Sequence, residues 1–222
     1  NHFLELQVVE KIFDDKAAQI FGLQEGMLTV LIHSGSRGLG HQVCDDFIKE
    51  MNRAAGQFDF KLPDRQLICA PIRSSLGESY YAAMACAANY AWANRQMLMH
   101  WTREIFMKTL NISPVSLGME LVYDVCHNVA KREMHAINNT KRLLCVHRKG
   151  ATRAFPAGHP DVPEDYRQVG QPVLVPGDMG RRSFLLVGTQ KAMEETFGST
   201  CHGAGRVLSR HQAIKALKGR SV

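Results

Sequence analysis

The sequence predicts an α+β fold, with strands and helices mixed in a single domain that spans residues 1–222. Strand-like and helix-like segments follow one another without the strict alternation of a parallel α/β sheet. One helical stretch, rich in alanine and methionine, is much longer than the other segments. No repeat, low-complexity tract or clear linker divides the chain, and its 45% hydrophobic and 22% charged content is typical of a globular protein.

Hydrophobic periodicity predicts the elements of the first part of the chain. Leu4, Leu6 and Val8 share one face, which is typical of a half-buried strand. The continuous apolar run at 27–32 has β-branched members and predicts a strand buried on both faces. We expect a strand at 3–8, a helix at 14–21 ended by Gly22, a strand at 27–32, a glycine and serine turn at 33–41, a helix at 42–55 and a strand at 66–70.

The longest helix is expected from about residue 75 to 110. Ser75 and Glu78 have the spacing of a capping box at its start. Its large side chains are expected to pack in the core rather than to line a cofactor site: Met84, Trp92, Met97, Trp101 and Phe106. Further along we expect a turn at 111–118, strands at 120–126 and 142–147, a basic loop at 148–153, a surface excursion at 157–171, a strand pair at 172–175 and 183–187, and a short helix at 191–197.

Composition narrows the possible functions. No apolar run reaches the length of about 18 residues that a membrane span needs, so we expect no membrane partner. The six scattered cysteines favour a reducing, cytoplasmic compartment. The net charge of +6 suits a polyanionic partner, although an indifferent basic surface would carry the same charge. The chain starts at Asn1 without a signal-peptide pattern, and we expect a fragment of a longer protein.

The stretch 198–210 is the strongest candidate for chemistry. It places His202 beside Gly203 and Gly205, which remove side-chain bulk next to the imidazole. A helix starting here would present free N–H groups to a phosphate, with Arg206 and Arg210 on one face. A histidine beside such a cradle is suited to act as a nucleophile, an acid/base or a metal ligand. The alternative is a helix-start histidine with ordinary glycine turn chemistry.

Three more histidines lie at ends of the predicted strands. His2 precedes one strand, while His33 and His127 each follow one. Imidazole suits manganese, zinc, iron or nickel, but no spacing here is that of a zinc motif. A metal-ligand cluster and ordinary structural histidines both remain open. Three others are expected to be exposed: His135, His159 and His211.

Basic residues fall in or just after the predicted loops, which points to a phosphate-rich ligand or to a solvated basic rim. They are Arg37, Arg148, Lys149, Arg153, Arg206 and Arg210. Gly177 and Gly180 suggest either an anion-binding turn or a plain hairpin turn.

Separated motifs, in order from Asn1 to about Arg210, resemble the RtcB family of RNA-splicing ligases. They are Asn1-His2-Phe3-Leu4-Glu5, His33-Ser34-Gly35-Ser36-Arg37-Gly38, Tyr123-Asp124-Val125-Cys126-His127-Asn128, His147-Arg148-Lys149-Gly150-Ala151-Thr152-Arg153 and the stretch 198–210. The resemblance implies a metal and nucleotide cleft at the centre of the fold. It also implies GTP- and manganese-dependent joining of an RNA 3′-phosphate or 2′,3′-cyclic phosphate end to a 5′-hydroxyl end, in tRNA splicing or RNA repair.

The resemblance also implies roles for individual residues. His202 resembles the histidine that takes GMP covalently, and His2, His33 and His127 resemble ligands of the two manganese ions. The guanylate-binding positions are similar to Asn1, His2, Phe3, Leu4, Glu5, His127, Asn128, Pro176, Gly177, Asp178, Met179, Ser183, His202, Gly203, Ala204 and Gly205. Arg37, Arg206 and Arg210 are similar to arginines that face RNA phosphates. The expected RNA partners are tRNA halves or broken RNA, and the need for an activating protein stays open.

This sequence departs from the family pattern at both ends. The family's aspartate and cysteine metal ligands and its far C-terminal lysine are absent, so we expect this chain alone to bind metal poorly and not to ligate. A metal-dependent phosphoesterase that uses the same histidines is one alternative. A non-catalytic RNA-binding module carried by the basic loops is another.

Overall fold

The computed structural model describes residues 2–58, 62, 64, 67–177 and 181–203. Helices and strands are mixed along the chain, which confirms the α+β class. The chain forms two compact units, Asn1–Arg132 (unit 1) and Glu133–Val222 (unit 2), and each is described by itself. The single domain stays a prediction, because compact units are not by themselves independent folds.

Unit 1 begins with a two-stranded antiparallel sheet followed mainly by helices. Its elements are β1 (Phe3–Val8), α1 (Asp15–Phe21), β2 (Leu28–His33), α2 (Arg37–Ala54), a 3₁₀ turn (Ala55–Gln57), α3 (Ser75–Leu110) and α4 (Pro114–Leu117), and β3 (Asn128–Ile137) starts at its end. In the β1–β2 pair, Phe3 lies opposite His33 and Val8 lies opposite Leu28.

Both strands of this sheet are confirmed, but their predicted burial is wrong. The face with Leu4, Leu6 and Val8 is exposed, with Leu6 at 63%. The opposite face, which includes Phe3, is better covered. β2 is not buried on both faces, since Leu28 is 71% exposed. Alternation in a sequence separates two faces of a strand, but it does not say which face the rest of the chain covers.

α1 and α3 follow their capping signals. The Asp14 side chain accepts a hydrogen bond from the Ala17 N–H, and Gly22 ends α1 at φ 68°. α3 ends at Leu110 as predicted. Its cap, however, is Ser74 rather than Ser75, because the Ser74 hydroxyl accepts from the Gly77 N–H at 3.1 Å.

The core prediction for α3 is wrong for several of its large side chains. Trp101 is 54% exposed, and Trp92 and Met97 are also exposed, while Met84 and Phe106 are partly covered. The buried positions of this helix are small residues instead: Gly77, Ala87, Ala91 and Thr102. Small side chains at these positions let other parts of unit 1 approach the helix closely.

Other boundaries differ from the predictions. α2 starts at Arg37, so the turn after β2 is shorter than expected. The described residues at 68–70 and 120–126 form no strand. β3 begins only at Asn128, and His127 therefore precedes a strand instead of following one.

Unit 2 contains the rest of the strands. Its elements are the remainder of β3, β4 (Thr140–Lys149), β5 (Ala151–Arg153), a 3₁₀ turn (Glu164–Tyr166), β6 (Pro172–Val175), β7 (Phe184–Val187), α5 (Gln190–Thr196) and β8 (Ser199–Cys201). β3 and β4 pair as a hairpin around Asn138 and Asn139, whose φ values of 48° and 62° suit a type I′ turn. β3 and β8 were not predicted from the sequence.

The strand pair predicted at 172–175 and 183–187 is confirmed. β6 and β7 are antiparallel, with Val173 opposite Leu186. β5 and β8 also pair, with Arg153 opposite Ser199. The predicted basic loop at 148–153 is wrong. Its residues belong to the end of β4 and to β5, and Gly150 (φ 65°) forms the turn between these two strands. The excursion at 157–171 is partly internal, since Val162 and Gln171 are buried.

The six cysteines, all of which lie in described segments, are free thiols. Among the helices that the structure describes, none has the length and apolarity needed to cross a bilayer.

Candidate functional site

His33 and His127 face each other in unit 1, although 94 residues separate them in the chain. Their Nε2 atoms are 3.0 Å apart, and their rings meet edge to face with centroids at 5.0 Å. His33 is the last residue of β2, and His127 lies directly before β3. Imidazole nitrogens bind metals in their neutral form, so two of them at this separation form a candidate pair of ligands.

One turn of α3 contacts the chain beside both histidines. The Arg95 guanidinium donates to Asp124 Oδ1 at 2.7 Å and to the Ser34 carbonyl oxygen at 3.3 Å. It also approaches Cys126 Sγ at 3.6 Å. Asn94 donates to Ser34 Oγ at 3.0 Å and to the Gly35 carbonyl oxygen at 2.9 Å. Ser34 follows His33 and Cys126 precedes His127, so both histidine segments are attached to the same helix.

Asp124 is partly buried beside the guanidinium. Burial raises the pKa of Asp124, and the Arg95 charge and hydrogen bond act in the opposite direction. The Arg95 side chain is itself only 11% exposed. A pair shielded from water in this way is screened less by salt than a surface pair.

His2 lies beside the same loop but is more exposed. Its Nδ1 is 3.5 Å from Ser34 Oγ. Loss of water contact and the nearby Arg37 charge lower the pKa of His2, which favours the neutral form. The Phe3 ring packs against the His33 ring, with centroids 4.9 Å apart.

The described residues fit part of a metal site. Two neighbouring ligand nitrogens of an octahedral ion, each about 2.1 Å from it and about 90° apart, are separated by about 3 Å, which agrees with the His33–His127 distance. Within the described ranges, no group of three or more His, Cys, Asp or Glu side chains is arranged to hold a metal. The pair therefore supplies the right donor chemistry but needs further ligands.

His202 lies in unit 2, directly after β8. It is half-buried, and burial together with the Lys149 charge lowers the pKa of its imidazole. A Cβ built on the neighbouring Gly203 would lie 3.2 Å from the Pro176 carbonyl oxygen. The predicted guanylate segments at Pro176 and at His202 are therefore neighbours within this unit.

The turn after β6 has its own internal hydrogen bond, from the Gly177 N–H to Ser183 Oγ at 3.0 Å. Among the other predicted guanylate positions, Leu4 and Glu5 lie on β1 and Asn128 begins β3. Arg37 is exposed at the start of α2 with φ 55°. The remaining predicted site residues lie outside the described residues: Asn1, Asp178, Met179, Ala204, Gly205, Arg206 and Arg210, as does Gly180.

Arg148 has neither of the two roles that the sequence left open, contact with a phosphate-rich ligand or a place on a solvated basic rim. Its side chain is 1% exposed and pairs with Glu133 through two hydrogen bonds, at 2.7 and 2.8 Å. It also donates to Ser199 Oγ at 2.9 Å and to the Phe197 carbonyl oxygen at 3.0 Å. Arg148 therefore anchors the start of β8, the strand that leads to His202.

His135, which was predicted to be exposed, is buried beside Glu133, with Nε2 to Oε2 at 3.1 Å. Burial acts to raise the pKa of Glu133, but the hydrogen bonds from Arg148 and His135 outweigh it, so this pKa is lowered. His159 is half-buried, and His211 lies outside the described part of the chain.

Comparison with known proteins decides the family. The model of the family described as "tRNA-splicing ligase RtcB" matches residues 1–222. The chain belongs to the RtcB family.

Curated relatives in this family are named tRNA-splicing ligase RtcB. The chain is 63% identical to the Archaeoglobus fulgidus protein over 222 residues, which is 100% of this chain and 46% of the relative. It is 57% identical to the Methanocaldococcus jannaschii protein, again over 100% of this chain but 23% of the relative. For the Methanococcus maripaludis protein the identity is 54%, with 46% of the relative covered. The chain thus spans about half the length, or less, of these RtcB relatives.

Sequence reasoning missed Arg95 and Glu133 as parts of these sites. Asn94 and Arg95, with Gln96, form a polar run in a mostly apolar part of the long helix, which was a usable signal. Glu133 carried no comparable signal, because the strand that contains it was itself not predicted.

Proposed function

We propose that this chain is part of an RNA ligase that uses GTP and manganese to join an RNA 3′-phosphate or 2′,3′-cyclic phosphate end to a 5′-hydroxyl end, in tRNA splicing or RNA repair. The single observation that carries the proposal is the RtcB family match over all 222 residues. The proposed RNA partners are tRNA halves or broken RNA. The proposed reaction centre is a cleft that holds both the metal and the nucleotide.

Manganese would be held by His33 and His127, with His2 as a further ligand of the two-ion site. The 3.0 Å separation of the Nε2 atoms of His33 and His127 supports this assignment. Bound manganese would neutralise charge on the reacting phosphates. Within the described ranges no third ligand of this kind joins the pair, and this chain alone is proposed to bind manganese weakly and not to ligate.

His202 is the proposed nucleophile. Its lowered pKa supports the role, because only the neutral imidazole has a lone pair for attack. A ring nitrogen would bond to the α-phosphorus of GTP while the bond to the β-phosphate breaks and pyrophosphate leaves. The GMP then passes to the RNA 3′-phosphate, which restores the imidazole.

The final step joins the two RNA ends. The 5′-hydroxyl attacks the activated 3′-phosphorus, loses its proton and expels GMP, while a cyclic phosphate must first be opened by water. Arg37, Arg206 and Arg210 are proposed to hold RNA phosphates. The neighbouring positions of Gly203 and Pro176 support a guanylate site in this part of unit 2.

The test is to incubate the full-length protein with manganese and α-labelled GTP. We expect an acid-labile, base-stable label that is lost in His202→Ala and kept in His147→Ala, an exposed histidine on β4. Release of phosphate from RNA ends without labelling of the protein would instead indicate a phosphoesterase. Retention of RNA with neither outcome would indicate a binding module.

A further inference from the structure

We propose that Arg95 is a positioning residue that sets the spacing of His33 and His127, with Asn94 supporting it. The inference rests on the proposed function, since it takes these two histidines as metal ligands. Arg95 would act on the metal through the chain on either side of the pair rather than by touching the metal itself.

The three Arg95 nitrogens contact different parts of the chain. Nη1 donates to the Ser34 carbonyl oxygen, one residue after His33, and Nη2 approaches Cys126 Sγ, one residue before His127. Nε donates to Asp124 Oδ1. A guanidinium is planar and presents its donors in a rigid fork, so it fixes these acceptors relative to one another. A lysine has one flexible ammonium group and cannot hold all three in this way.

The segment before His127 depends on side chains for part of its placement. Residues 120–126, all within the described ranges, form no strand, so no ladder of backbone hydrogen bonds sets their register. Arg95 holds this segment through Asp124, and Arg103 holds it further upstream through the Met119 carbonyl oxygen at 2.9 Å. Of these two arginines, Arg95 is the one that also contacts the residue next to His127, at Cys126 Sγ.

Asn94 fixes the other histidine segment from the neighbouring helix position. It donates to Ser34 Oγ and to the Gly35 carbonyl oxygen, so the turn after β2 is bonded at consecutive residues. Ligands that are already held in place lose less conformational freedom when they bind a metal. Loss of Arg95 is therefore expected to weaken metal binding while both histidines are still present.

The experiment compares Arg95→Gln with Arg103→Gln in the full-length protein. Arg103 is the matched control, because it is on the same helix and bonds the same segment at a distance from His127. Manganese affinity is measured by electron paramagnetic resonance without GTP or RNA. We expect Arg95→Gln to weaken binding by about 10- to 100-fold, as losses of residues that orient ligands do, and Arg103→Gln to change it less than about threefold.

Two further measurements separate a positioning role of Arg95 from a general loss of protein stability. With cobalt in place of manganese, the visible absorption of the bound ion should change in Arg95→Gln and not in Arg103→Gln, because it reports the geometry around the metal. Metal-free unfolding in urea should be affected similarly in both variants. Arg95→Lys should restore only part of the affinity, since it keeps the charge but not the fork.

The outcomes distinguish this inference from the proposed function. If His33→Ala binds manganese as tightly as the unmodified protein, the metal assignment itself is wrong. If His33→Ala loses binding while Arg95→Gln and Asn94→Ala bind normally, the positioning role is overturned and the assignment stands. Should Arg95→Gln fail to fold, Asp124→Asn and Asn94→Ala decide the matter, and unchanged affinity in both would overturn the inference.

Discussion

Each candidate site has an arginine–carboxylate pair beside its histidines, but the two pairs are built differently. In unit 1, Arg95 and Asp124 are partly buried, and Arg95 contacts the chain next to both His33 and His127. In unit 2, Arg148 and Glu133 are almost fully buried and hold β8 at Ser199, three residues before His202. The first pair is therefore expected to affect mainly the geometry of the site, and the second mainly the stability of its unit.

The largest expected effect is loss of stability in Arg148→Met. This change leaves Glu133 buried without its main partner, which typically costs about 3–5 kcal/mol. The free energy of unfolding of the full-length protein in urea measures it. Lys149→Met, at the exposed next position, is the control and should change stability by less than about 0.5 kcal/mol.

A double variant sharpens this result. Arg148→Met combined with Glu133→Leu removes both charges and should recover much of the lost stability, because an apolar pair of similar volume needs no compensating charge. If the single Arg148→Met variant is as stable as Lys149→Met, the buried pair does not hold unit 2 together and the contrast with unit 1 disappears.

The second prediction concerns Gly198, which lies between α5 and β8. Its φ is 61°, and a Cβ there would collide with the Phe155 ring, whereas Gly158 has φ 79° and open space around it. Both alanine variants carry the backbone strain, but only Gly198→Ala is overpacked, at a further cost of about 1–3 kcal/mol. Equal unfolding midpoints for the two variants in urea would show that the approach to β8 tolerates more volume than the structure indicates.

Local signals predicted much of the fold, because they depend on neighbours in the sequence. Gly22 ended α1, the long helix was found nearly in full, and β6 and β7 paired as expected. The site histidines His33 and His127 were selected for their positions at the ends of predicted strands, although only the first strand exists as predicted.

The features that the sequence did not predict share a physical cause, which is pairing between polar residues inside the fold. In β3 the buried positions include Glu133 and His135, while Met134 between them is exposed, so the pattern is the reverse of the usual one. Paired charges can be buried, and periodicity alone does not detect such pairs. Arg95 and Arg148 gain their roles from residues far away in the sequence, at separations of 29 for Asp124 and 51 for Ser199. Such partners become known only from the fold.

The third prediction separates stability from site geometry within unit 1. Ser74→Ala removes the cap of α3, the helix that carries Arg95, and should cost about 1 kcal/mol. Ser75→Ala, inside the helix, is the control with a much smaller cost. Urea unfolding measures both. Manganese affinity should stay the same in Ser74→Ala, and a loss as large as that of Arg95→Gln would mean that any weakening of α3 disturbs the histidine pair.

The smallest expected effect is a shift in the pH dependence of GMP labelling. Burial and the Lys149 charge lower the pKa of His202 below its ordinary value of 6.5, so the neutral imidazole dominates above a midpoint that lies on the acidic side of 6.5. The labelling rate should therefore rise with pH through that midpoint.

Lys149→Gln removes the second of the two causes that lower the pKa of His202, so it should raise the midpoint and slow labelling near pH 6, with little change at pH 8. The labelling rate of the full-length protein, measured from pH 5 to 8, checks this sign. A midpoint that stays fixed or moves down in Lys149→Gln would contradict the electrostatic role of Lys149 while leaving His202 as nucleophile, and loss of labelling at every pH would place Lys149 in substrate binding instead.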